Sequence, residues 1–429
     1  MEPIVGVICE YDPFHRGHAR QFALIREALP DAKIVCVMSG CFTQRGSPAL
    51  FSPAFRAGQA LRAGACLVME LPCAFAVREA ENFALGGVAL LNALGFVTHL
   101  SFGLETDDLP LLQACADALE QPTPAFETAL HDALAAGLPF AAAQARALCA
   151  ALEPSRYPQA AFFDAPDTAS AGQTADLAKC SLTLGGNPVS ADRAGPLAAA
   201  LAKPNNILGI SYLRALRRLN SAIQPLPVRR VGDYHADSLA AHGYPSASAT
   251  RKAFLSGDVT AAENACGYPL SGQPFHRPEA LDALLIHTLR TAAPDALRAL
   301  PDCSEGLENR LHRVAGEVSS RAALIAGMKT RRYAYARLNR LASHALLGVT
   351  ADLLREQPLP TYARLLGFRG EDRPLLSLLR GSSLPVLAKA ADARRDDPLF
   401  ALDARAYDLW ALGAGLPQGM IYRQGVSVV

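Results

Sequence analysis

Two histidines near the start of the chain have the residue types and spacing of a phosphate-handling site. His15 and His18 are separated by Arg16 and Gly17. Imidazole N–H groups can donate to phosphoryl oxygens, and a glycine lets the backbone approach a ligand closely. This His-x-Gly-His spacing is a signature of adenylate-forming chemistry. We therefore predict catalytic roles for His15 and His18.

The flanking segments must position this pair. Residues 4–10 form a short apolar run with β-branched members, which predicts a buried strand, and Pro13 and Gly17 punctuate the turn after it. Residues 19–28 repeat apolar side chains at helical spacing. The histidines would then lie where a helix begins, and helix N-termini attract phosphate. The plainer interpretation is a pair of surface histidines on a loop.

Composition limits the class of protein. The chain has 429 residues, half of them hydrophobic, and a formal net charge of +1, which predicts two or three domains and no strongly cationic surface overall. The ten cysteines include no C-x-x-C pair and no zinc-type cluster, so we expect no metal site and no disulfide framework. No basic leader or long apolar run is present. We expect a soluble, cytoplasmic protein with no membrane segment, and we infer no stable protein partner.

Strand patterns alternate with helix patterns through the first hundred residues. Apolar runs at 33–40, 66–71 and 99–102 predict further strands, and 53–63 and 80–94 predict helices. This alternation indicates an α/β fold with a parallel sheet. Ligands of such sheets gather at the carboxyl ends of the strands. The residues expected there are His15, His18, Ser39, Gly40, Glu70 and Gly103.

The sequence predicts two domains. Residues 1–265 would form the catalytic domain, with a helical and loop insertion at about 107–203 in which residues 154–174 have little periodicity. Small hydroxyl residues at 246–250, followed by Arg251, predict a second anion-binding helix start. Residues 275–429 show helical patterns with little strand character, which predicts a separate α-helical domain.

A basic segment within this second domain interleaves cations with tyrosines. Its cations are Lys329, Arg331, Arg332, Arg337 and Arg340, and its tyrosines are Tyr333 and Tyr335. Guanidinium groups suit phosphate, and tyrosines can stack on bases, so an RNA-binding surface is one interpretation. A solvated helix face is the other.

Taken in order, the motifs resemble the bacterial tRNA(Met) cytidine acetate ligases. They are Glu-Tyr-Asp-Pro-Phe-His-Arg-Gly-His (10–18), Val-Met-Ser-Gly-Cys-Phe-Thr-Gln-Arg-Gly (37–46), Glu-Leu-Pro (70–72), Ala-Glu-Asn-Phe-Ala (80–84), Phe-Gly-Leu-Glu (102–105), Pro-Asn-Asn-Ile-Leu-Gly (204–209), Arg-Val-Gly-Asp-Tyr-His (230–235) and Leu-Leu-Gly-Phe (365–368). The resemblance implies a Rossmann-like nucleotidyltransferase domain of the HIGH type, followed by an α-helical domain that holds tRNA. It implies activation of acetate with ATP to acetyl-adenylate, then acetylation of the wobble cytidine of elongator tRNA(Met) to N4-acetylcytidine. Mg²⁺ is expected with the ATP.

The same resemblance assigns the nucleotide site residue by residue. The first-turn segment would hold ATP through Val7, Ile8, Cys9, Glu10, Tyr11, Asp12, Pro13, Phe14, His15, Arg16, Gly17, His18, Ala19 and Arg20, completed by Gly103, Asn205 and Arg230. The chain departs from the family pattern at four positions. Asp12, Arg16 and Cys41 stand where Asn is common, and Leu104 stands where Ser is usual.

Two other functions fit the same motifs. A cofactor-type adenylyltransferase, which joins AMP to a phosphate ester, shares the His-x-Gly-His turn, although such enzymes are usually small and lack a large basic helical domain. A non-catalytic RNA- or nucleotide-binding protein would keep the same fold but would not form an adenylate. The intact His15 and His18 favour an enzyme.

Overall fold

A mixed β-sheet with helices on both faces forms the centre of the protein. The computed structural model describes residues 2–106, 108–138, 140–152, 183–184, 187–188, 196–229, 245–330 and 333–429. Its strands are β1 (Ile4–Cys9), β2 (Lys33–Ser39), β3 (Leu67–Leu71), β4 (His99–Leu104), β5 (Thr183–Leu184), β6 (Asn187–Pro188), β7 (Gln224–Arg229), β8 (Ala363–Phe368), β9 (Val386–Leu387) and β10 (Ser427–Val428). The main sheet has the order β10-β8-β3-β2-β1-β4-β7, with β9 beside β8.

Helices connect and cover these strands. In the first half they are α1 (Arg16–Ala28), α2 (Pro53–Arg62), α3 (Cys73–Ala76), α4 (Ala80–Leu94), α5 (Leu109–Glu120), α6 (Pro124–Ala135), α7 (Phe140–Leu152), α8 (Pro196–Leu201), α9 (Pro204–Arg218), α10 (Ala247–Leu255) and α11 (Val259–Cys266). In the second half they are α12 (Asp282–Thr291), α13 (Pro294–Arg298), α14 (Leu307–Glu317), α15 (Arg321–Met328), α16 (Tyr335–Leu347), α17 (Ala351–Glu356), α18 (Pro398–Gly413) and α19 (Met420–Arg423), with 3₁₀ turns at Gly370–Gly381 and Ala390–Asp392.

The parallel strands are continuous apolar runs in the sequence because helices cover both faces of the sheet. Val5 and Val7 of β1 pack with Phe22 of α1 on one face, and Ile4 and Ile8 contribute to the core on the other. The helix α4 lies very close to β1, since a Cβ at Gly87 would be 2.7 Å from Cδ1 of Ile8. The predicted strand, turn and helix at the amino terminus are confirmed.

The sheet has a topological switch point at β1. From β1 the chain proceeds to β2 and β3 on one side, and β4 then pairs with the other side of β1. The carboxyl ends of β1 and β4 therefore border a crevice that no crossover helix fills, which is where ligands of open α/β sheets bind. The sequence leaves this edge of β1 directly into the turn with the two histidines.

Residues 282–356 are mainly helical, and the chain after them adds strands to the main sheet. The strand β8 pairs antiparallel with β3, and β9 and β10 pair with β8. The prediction of little strand character in this part was therefore wrong for Ala363–Phe368, Val386–Leu387 and Ser427–Val428, whereas α18 and α19 are helical as predicted. Short strands with few alternating residues give a weak pattern, and these form through tertiary pairing, β8 with β3, and β9 and β10 with β8. The domain boundaries at 265 and 275 remain predictions.

A buried polar network joins this added strand to the rest of the sheet. Arg364 of β8 donates to Glu70 of β3 over 2.6 Å, and both side chains are almost fully buried. The hydroxyl of Tyr407 on α18 donates to Oε1 of Glu70 over 2.9 Å. Nearby Asp403 accepts from the backbone N–H of Cys73 and the hydroxyl of Tyr362, and burial, with Glu70 next in effect, raises the pKa of Asp403 to about 8. Glu70 is thus a structural residue and does not face the crevice.

Two general properties of the described residues bear on the sequence expectations. The cysteines among them are free thiols, and all but Cys303 are buried. In the part of the chain that the structure describes, no helix is both long and apolar enough to cross a bilayer.

We expect Glu70→Ala to destabilise the protein strongly, because it leaves the guanidinium of Arg364 buried without its carboxylate. Breaking a buried pair in this way costs about 3–5 kcal/mol. The matched control is Asp352→Ala, which breaks an exposed pair with Arg355 and should change stability by less than about 0.5 kcal/mol. Urea unfolding of both variants measures the difference. Equal, small losses would contradict the role assigned to Glu70.

Candidate active site

A cavity of about 330 Å³ opens at the switch point of the sheet. It lies at the carboxyl ends of β1, β4 and β7, and the start of α1, the loop 42–48, α9 and α10 form its sides. Its lining includes Ile8, Cys9, Glu10, Tyr11, Asp12, His15, Gly17, His18, Arg20, Thr43, Gln44, Arg45, Phe102, Gly103, Asn205, Tyr212, Arg229, Ser246, Ser248 and Arg251.

Hydrogen bonds to the backbone fix both histidine rings. Nδ1 of His15 accepts from the N–H of Gly17 at 3.1 Å, which caps α1, and Nδ1 of His18 accepts from the N–H of His15 at 3.2 Å. The two rings stack, with centroids 3.7 Å apart. A neutral imidazole whose Nδ1 accepts carries its proton on Nε2. Each Nε2 is therefore the atom that can donate to an anion in the cavity.

Aromatic side chains pack against the ring of His18. The ring of His18 contacts Tyr11 and Phe14, at centroid distances of 4.8 and 5.5 Å, and both aromatic residues are buried against Phe22 of α1. The hydroxyl of Tyr268 holds the carbonyl of Phe14 at 2.6 Å. Such packing limits the rotation of His18 and so preorganises its donor.

A completely buried arginine holds the strand ends beside the cavity. The guanidinium of Arg56, on α2, donates to the carbonyls of Glu10, Ser39, Gly40 and Phe51. Glu10 directly follows β1, Ser39 ends β2 and Gly40 follows it, so one side chain satisfies carbonyls at the ends of both strands. The sequence analysis missed this residue. The only signal was a cation on an otherwise apolar stretch of helix.

Two acidic side chains in the cavity have different surroundings. Asp12 is buried, its Oδ1 accepts from the N–H of Leu50 at 2.7 Å, and its Oδ2 lies 3.3 Å from Arg251. Asp12 stands where Asn is common in the family, and the guanidinium of Arg251 balances its negative charge. Glu10 accepts from the N–H of Gln44 through Oε1 at 2.5 Å, and burial raises the pKa of Glu10.

A second helix begins at the cavity, as the sequence predicted. The hydroxyl of Ser246 caps α10 by accepting from the N–H of Ala249 at 3.0 Å, and Arg251 lies in the second turn. Arg251 also donates to the carbonyl of Asp12. The N-terminal ends of α1 and α10 thus both direct backbone N–H dipoles toward the same cavity, an arrangement that favours anions.

Asn205 lies in the cavity where α9 begins. Its side-chain N–H donates to Oε1 of Glu105 at 2.9 Å, and its backbone N–H donates to Oε2 of Glu105 at 3.3 Å. Oδ1 of Asn206 in turn accepts from the N–H of Glu105 at 2.9 Å. Glu105, which follows β4, therefore positions Asn205 next to Gly103.

The structure brings most of the predicted nucleotide residues together. Those that line the cavity are Ile8, Cys9, Glu10, Tyr11, Asp12, His15, Gly17, His18, Arg20, Gly103 and Asn205. Val7, Pro13, Phe14, Arg16 and Ala19 are not part of the lining, and Val7 and Phe14 lie in the core. Ser39, Gly40 and Glu70, also expected at this edge, are buried beside it. Arg230 lies outside the described residues.

The basic segment is more tightly held than the sequence suggested. Arg340 is only 7% exposed, and its Nε lies 3.5 Å from Oδ2 of Asp302, so its predicted place on an RNA surface is corrected. Arg337 donates to the carbonyl of Asp302, and Lys329 donates to the carbonyls of Thr330 and Tyr333. Arg331 and Arg332 lie outside the described residues, and their role remains a prediction.

The loop 42–48 connects the cavity to this basic segment. Thr43, Gln44 and Arg45 line the cavity, and the next residue, Gly46, packs on α16. The carbonyl of Gly46 accepts from Arg321 at 2.7 Å and from the hydroxyl of Ser343. The cavity wall and the middle of α16 therefore form one packed unit.

The fold and site define a nucleotidyl transferase of the HIGH class. The sequence profile of the family described as HIGH Nucleotidyl Transferase matches residues 1–419. The chain is 32% identical to the tRNA(Met) cytidine acetate ligase of Clostridium perfringens over 416 residues, covering 95% of this chain and 94% of that protein. Its identity to the enzyme of the same name from Acetivibrio thermocellus is 31% over 432 residues, covering 95% and 94%.

Solved structures give the same result. The crystal structure of Thermotoga maritima TmcAL bound with alpha-thio ATP matches with a TM-score of 0.80 and 26% identity, covering 100% of both chains. The apo form of that protein matches with a TM-score of 0.83 and 26% identity, covering 100% of this chain and 99% of the other. The chain therefore belongs to the HIGH nucleotidyl transferases and, among them, to the family of the tRNA(Met) cytidine acetate ligases.

We expect Gly46→Ala to destabilise the protein more than its backbone conformation alone requires. Gly46 has φ of +84°, and a Cβ there would lie 2.6 Å from the backbone N of Arg340. The control Gly137→Ala has a similar φ of +81° but no atom within 4 Å of the added Cβ. Both variants should lose about 1 kcal/mol to the left-handed conformation, and Gly46→Ala should lose about 1–3 kcal/mol more from the overlap. Denaturant unfolding of the pair measures this difference, and equal losses would contradict the contact.

Proposed function

We propose that the protein is an ATP-dependent tRNA-modifying ligase. It activates acetate as acetyl-adenylate and transfers the acetyl group to N4 of the wobble cytidine of elongator tRNA(Met), giving N4-acetylcytidine. The observation that carries this proposal is the pair of backbone-fixed imidazoles, His15 and His18, at the N-terminus of α1 in the switch-point cavity. The names of the relatives supply the acyl donor and the RNA.

In the first step an oxygen of acetate attacks the α-phosphorus of ATP, and the bond to the pyrophosphate oxygen breaks. Negative charge accumulates on the phosphoryl oxygens in transit, so fixed donors accelerate the step. Nε2 of His15, Nε2 of His18 and the guanidinium of Arg251 are donors in the cavity lining, which also includes Arg20, Arg45 and Arg229. The predicted ATP contact of Arg230 completes the proposal.

In the second step the N4 amine attacks the acetyl carbonyl and AMP departs. The lone pair of that amine is delocalised into the cytosine ring, so acetate itself would not react and a mixed anhydride is needed. The cavity must therefore hold the adenylate until RNA arrives. The wall formed by the loop 42–48 adjoins the helical region that we propose for tRNA, which makes delivery of a base to the same cavity geometrically consistent.

Magnesium enters this proposal only with the nucleotide. Within the described ranges, no group of three or more His, Cys, Asp or Glu side chains could hold a metal ion. The described side chains therefore do not form a resident site, and any Mg²⁺ that assists would be held mainly by the polyphosphate of ATP. Acetate as the donor and a cytoplasmic location remain parts of the proposal.

The two alternative functions are separable by one assay. Acetate-dependent exchange of pyrophosphate into ATP requires an acyl-adenylate, and a cofactor-type adenylyltransferase would not show it. A non-catalytic nucleotide- or RNA-binding protein would show no turnover at all. Exchange that depends on acetate, followed by acetylation of tRNA(Met) from a panel of tRNAs, supports the ligase, and absence of both rejects it.

We expect His18→Ala to lower acetate-dependent pyrophosphate exchange by about 10²-fold or more, because it removes a preorganised donor to developing phosphoryl charge. His18 is half-buried and accepts one backbone N–H, so its loss should cost about 1 kcal/mol of stability and leave the protein folded. The control is His131→Ala on α6, whose side chain is 83% exposed and is not part of the cavity lining. Full exchange activity in the His18 variant would reject its assignment.

We expect Arg331→Ala combined with Arg332→Ala to weaken tRNA binding and to reduce its dependence on salt. Each lost phosphate contact should lower the slope of log affinity against log salt by roughly 1. The matched control replaces Arg313 and Arg355 by Ala, because both are exposed arginines with surface ion pairs on neighbouring helices. Binding of tRNA across a salt series measures the slopes. Identical slopes for the two double variants would indicate that the basic segment is a solvated helix face and does not bind RNA.

A further inference from the structure

The cavity contains one carboxylate that could accept a proton. Glu10 and Asp12 are the acidic side chains in its described lining. Both oxygens of Asp12 are occupied, one by the N–H of Leu50 and one by Arg251. In contrast, Oε1 of Glu10 accepts from the N–H of Gln44, and no described residue donates a hydrogen bond to its Oε2. Among the residues that the structure describes, none therefore competes with a substrate for Oε2.

The histidines are poorly suited to this task. Each uses Nδ1 to accept a backbone N–H, so the neutral ring carries its proton on Nε2. For either ring to accept a proton on Nε2, it would have to exchange that proton first or give up the bond that fixes it. Their geometry makes them donors to phosphate oxygens, which leaves Glu10 as the acceptor.

The surroundings of Glu10 raise the pKa of its carboxylate. Its carboxylate lies at the end of β1, and burial raises its pKa, as does the charge of Asp12, whereas the N–H of Gln44, Arg251 and Arg45 oppose the shift. Tyr212 of α9 and Cys9 also line this part of the cavity, and burial raises the pKa of each, so both remain protonated. A general base is most effective when its pKa lies close to the working pH.

The second step of the reaction needs a base and no acid. As N4 bonds to the acetyl carbon, the nitrogen becomes acidic and must lose a proton. The leaving group is the phosphate of AMP, which departs as an anion and takes the electron pair of the broken C–O bond without protonation. One carboxylate in the cavity therefore suffices for the transfer.

We propose that Glu10 is the general base of acyl transfer, accepting the N4 proton on Oε2 while the N–H of Gln44 holds Oε1. The proton then passes to solvent once AMP leaves. This inference rests on the proposed function. The assignment of Gln44 as the group that orients Glu10 also gives the loop 42–48 a positioning role.

The test supplies synthetic acetyl-AMP directly and measures single-turnover acetylation of tRNA(Met), which removes ATP activation from the assay. In the wild type, the logarithm of the rate should rise with pH with unit slope and level off above the pKa of Glu10. Glu10→Gln should be slower by about 10²–10⁴-fold and lack this inflection. Glu10→Asp, which keeps a carboxylate, should recover part of the rate and the inflection.

The control variant is Glu127→Gln, an exposed carboxylate on α6, which should match the wild type in rate and pH profile. Affinities of each variant for AMP and for tRNA, measured by titration, separate a lost base from lost binding. A Glu10→Gln rate within threefold of wild type, or a slow variant that keeps the inflection, would overturn the proposal. Failure of the wild type to use acetyl-AMP would instead reject the proposed function.

Discussion

The site depends on one buried cation, the guanidinium of Arg56. At the ends of β1 and β2 the backbone leaves the sheet, and carbonyls there lose their ladder partners while still buried. Arg56 donates to the carbonyls of Glu10, Ser39 and Gly40. It also donates to the carbonyl of Phe51, which lies just before its own helix α2. A buried polar group without a partner is costly, so this arrangement favours one position of the strand ends. The turn that carries His15 begins from that fixed position.

The histidine turn shows how a backbone can decide side-chain chemistry. The N–H groups that a helix leaves unpaired at its first turn normally need a cap. Here the imidazoles of His15 and His18 provide the acceptors, and in doing so they fix their own tautomers as Nε2 donors. The same cavity places a carboxylate, Glu10, where its accessible oxygen has no donor among the described residues. Donation to phosphate and acceptance from an amine are thus assigned to different side chains.

Polar contacts join the C-terminal part of the chain to the N-terminal part at several points, two of which bear on the site. Arg364 of β8 reaches Glu70 across the sheet edge, and Arg321 and Ser343 hold Gly46 in the cavity wall. Burial lowers the pKa of Arg321 to about 10, which leaves it charged at neutral pH and able to hold the loop carbonyl. Because the helical region packs directly on the loop 42–48, RNA bound there as we propose would lie next to the cavity.

The sequence by itself determined the local features. The strand at 4–9, the turn, the helix from Arg16 and the capped helix at Ser246 follow from apolar period, turn residues and caps within a few positions of one another, and each is present in the structure. The resemblance of the ordered motifs also identified the family. Residues 7–20 were assigned as a block, however, and the sequence did not separate cavity-lining members such as Glu10 from core members such as Val7.

Only the tertiary structure decided the contacts between distant residues. Glu70 meets Arg364, Gly46 meets Arg340, and Arg56 meets carbonyls on two strands, and none of these pairings leaves a periodic signal in the sequence. For the same reason the sequence indicated a surface position for Arg340, although the residue is buried beside Asp302. The strand β8 exists because β3 offers it an edge to pair with, and β9 and β10 then pair with β8. Local chemistry is set by near neighbours in the chain, whereas burial and ion pairing depend on which segments meet in space.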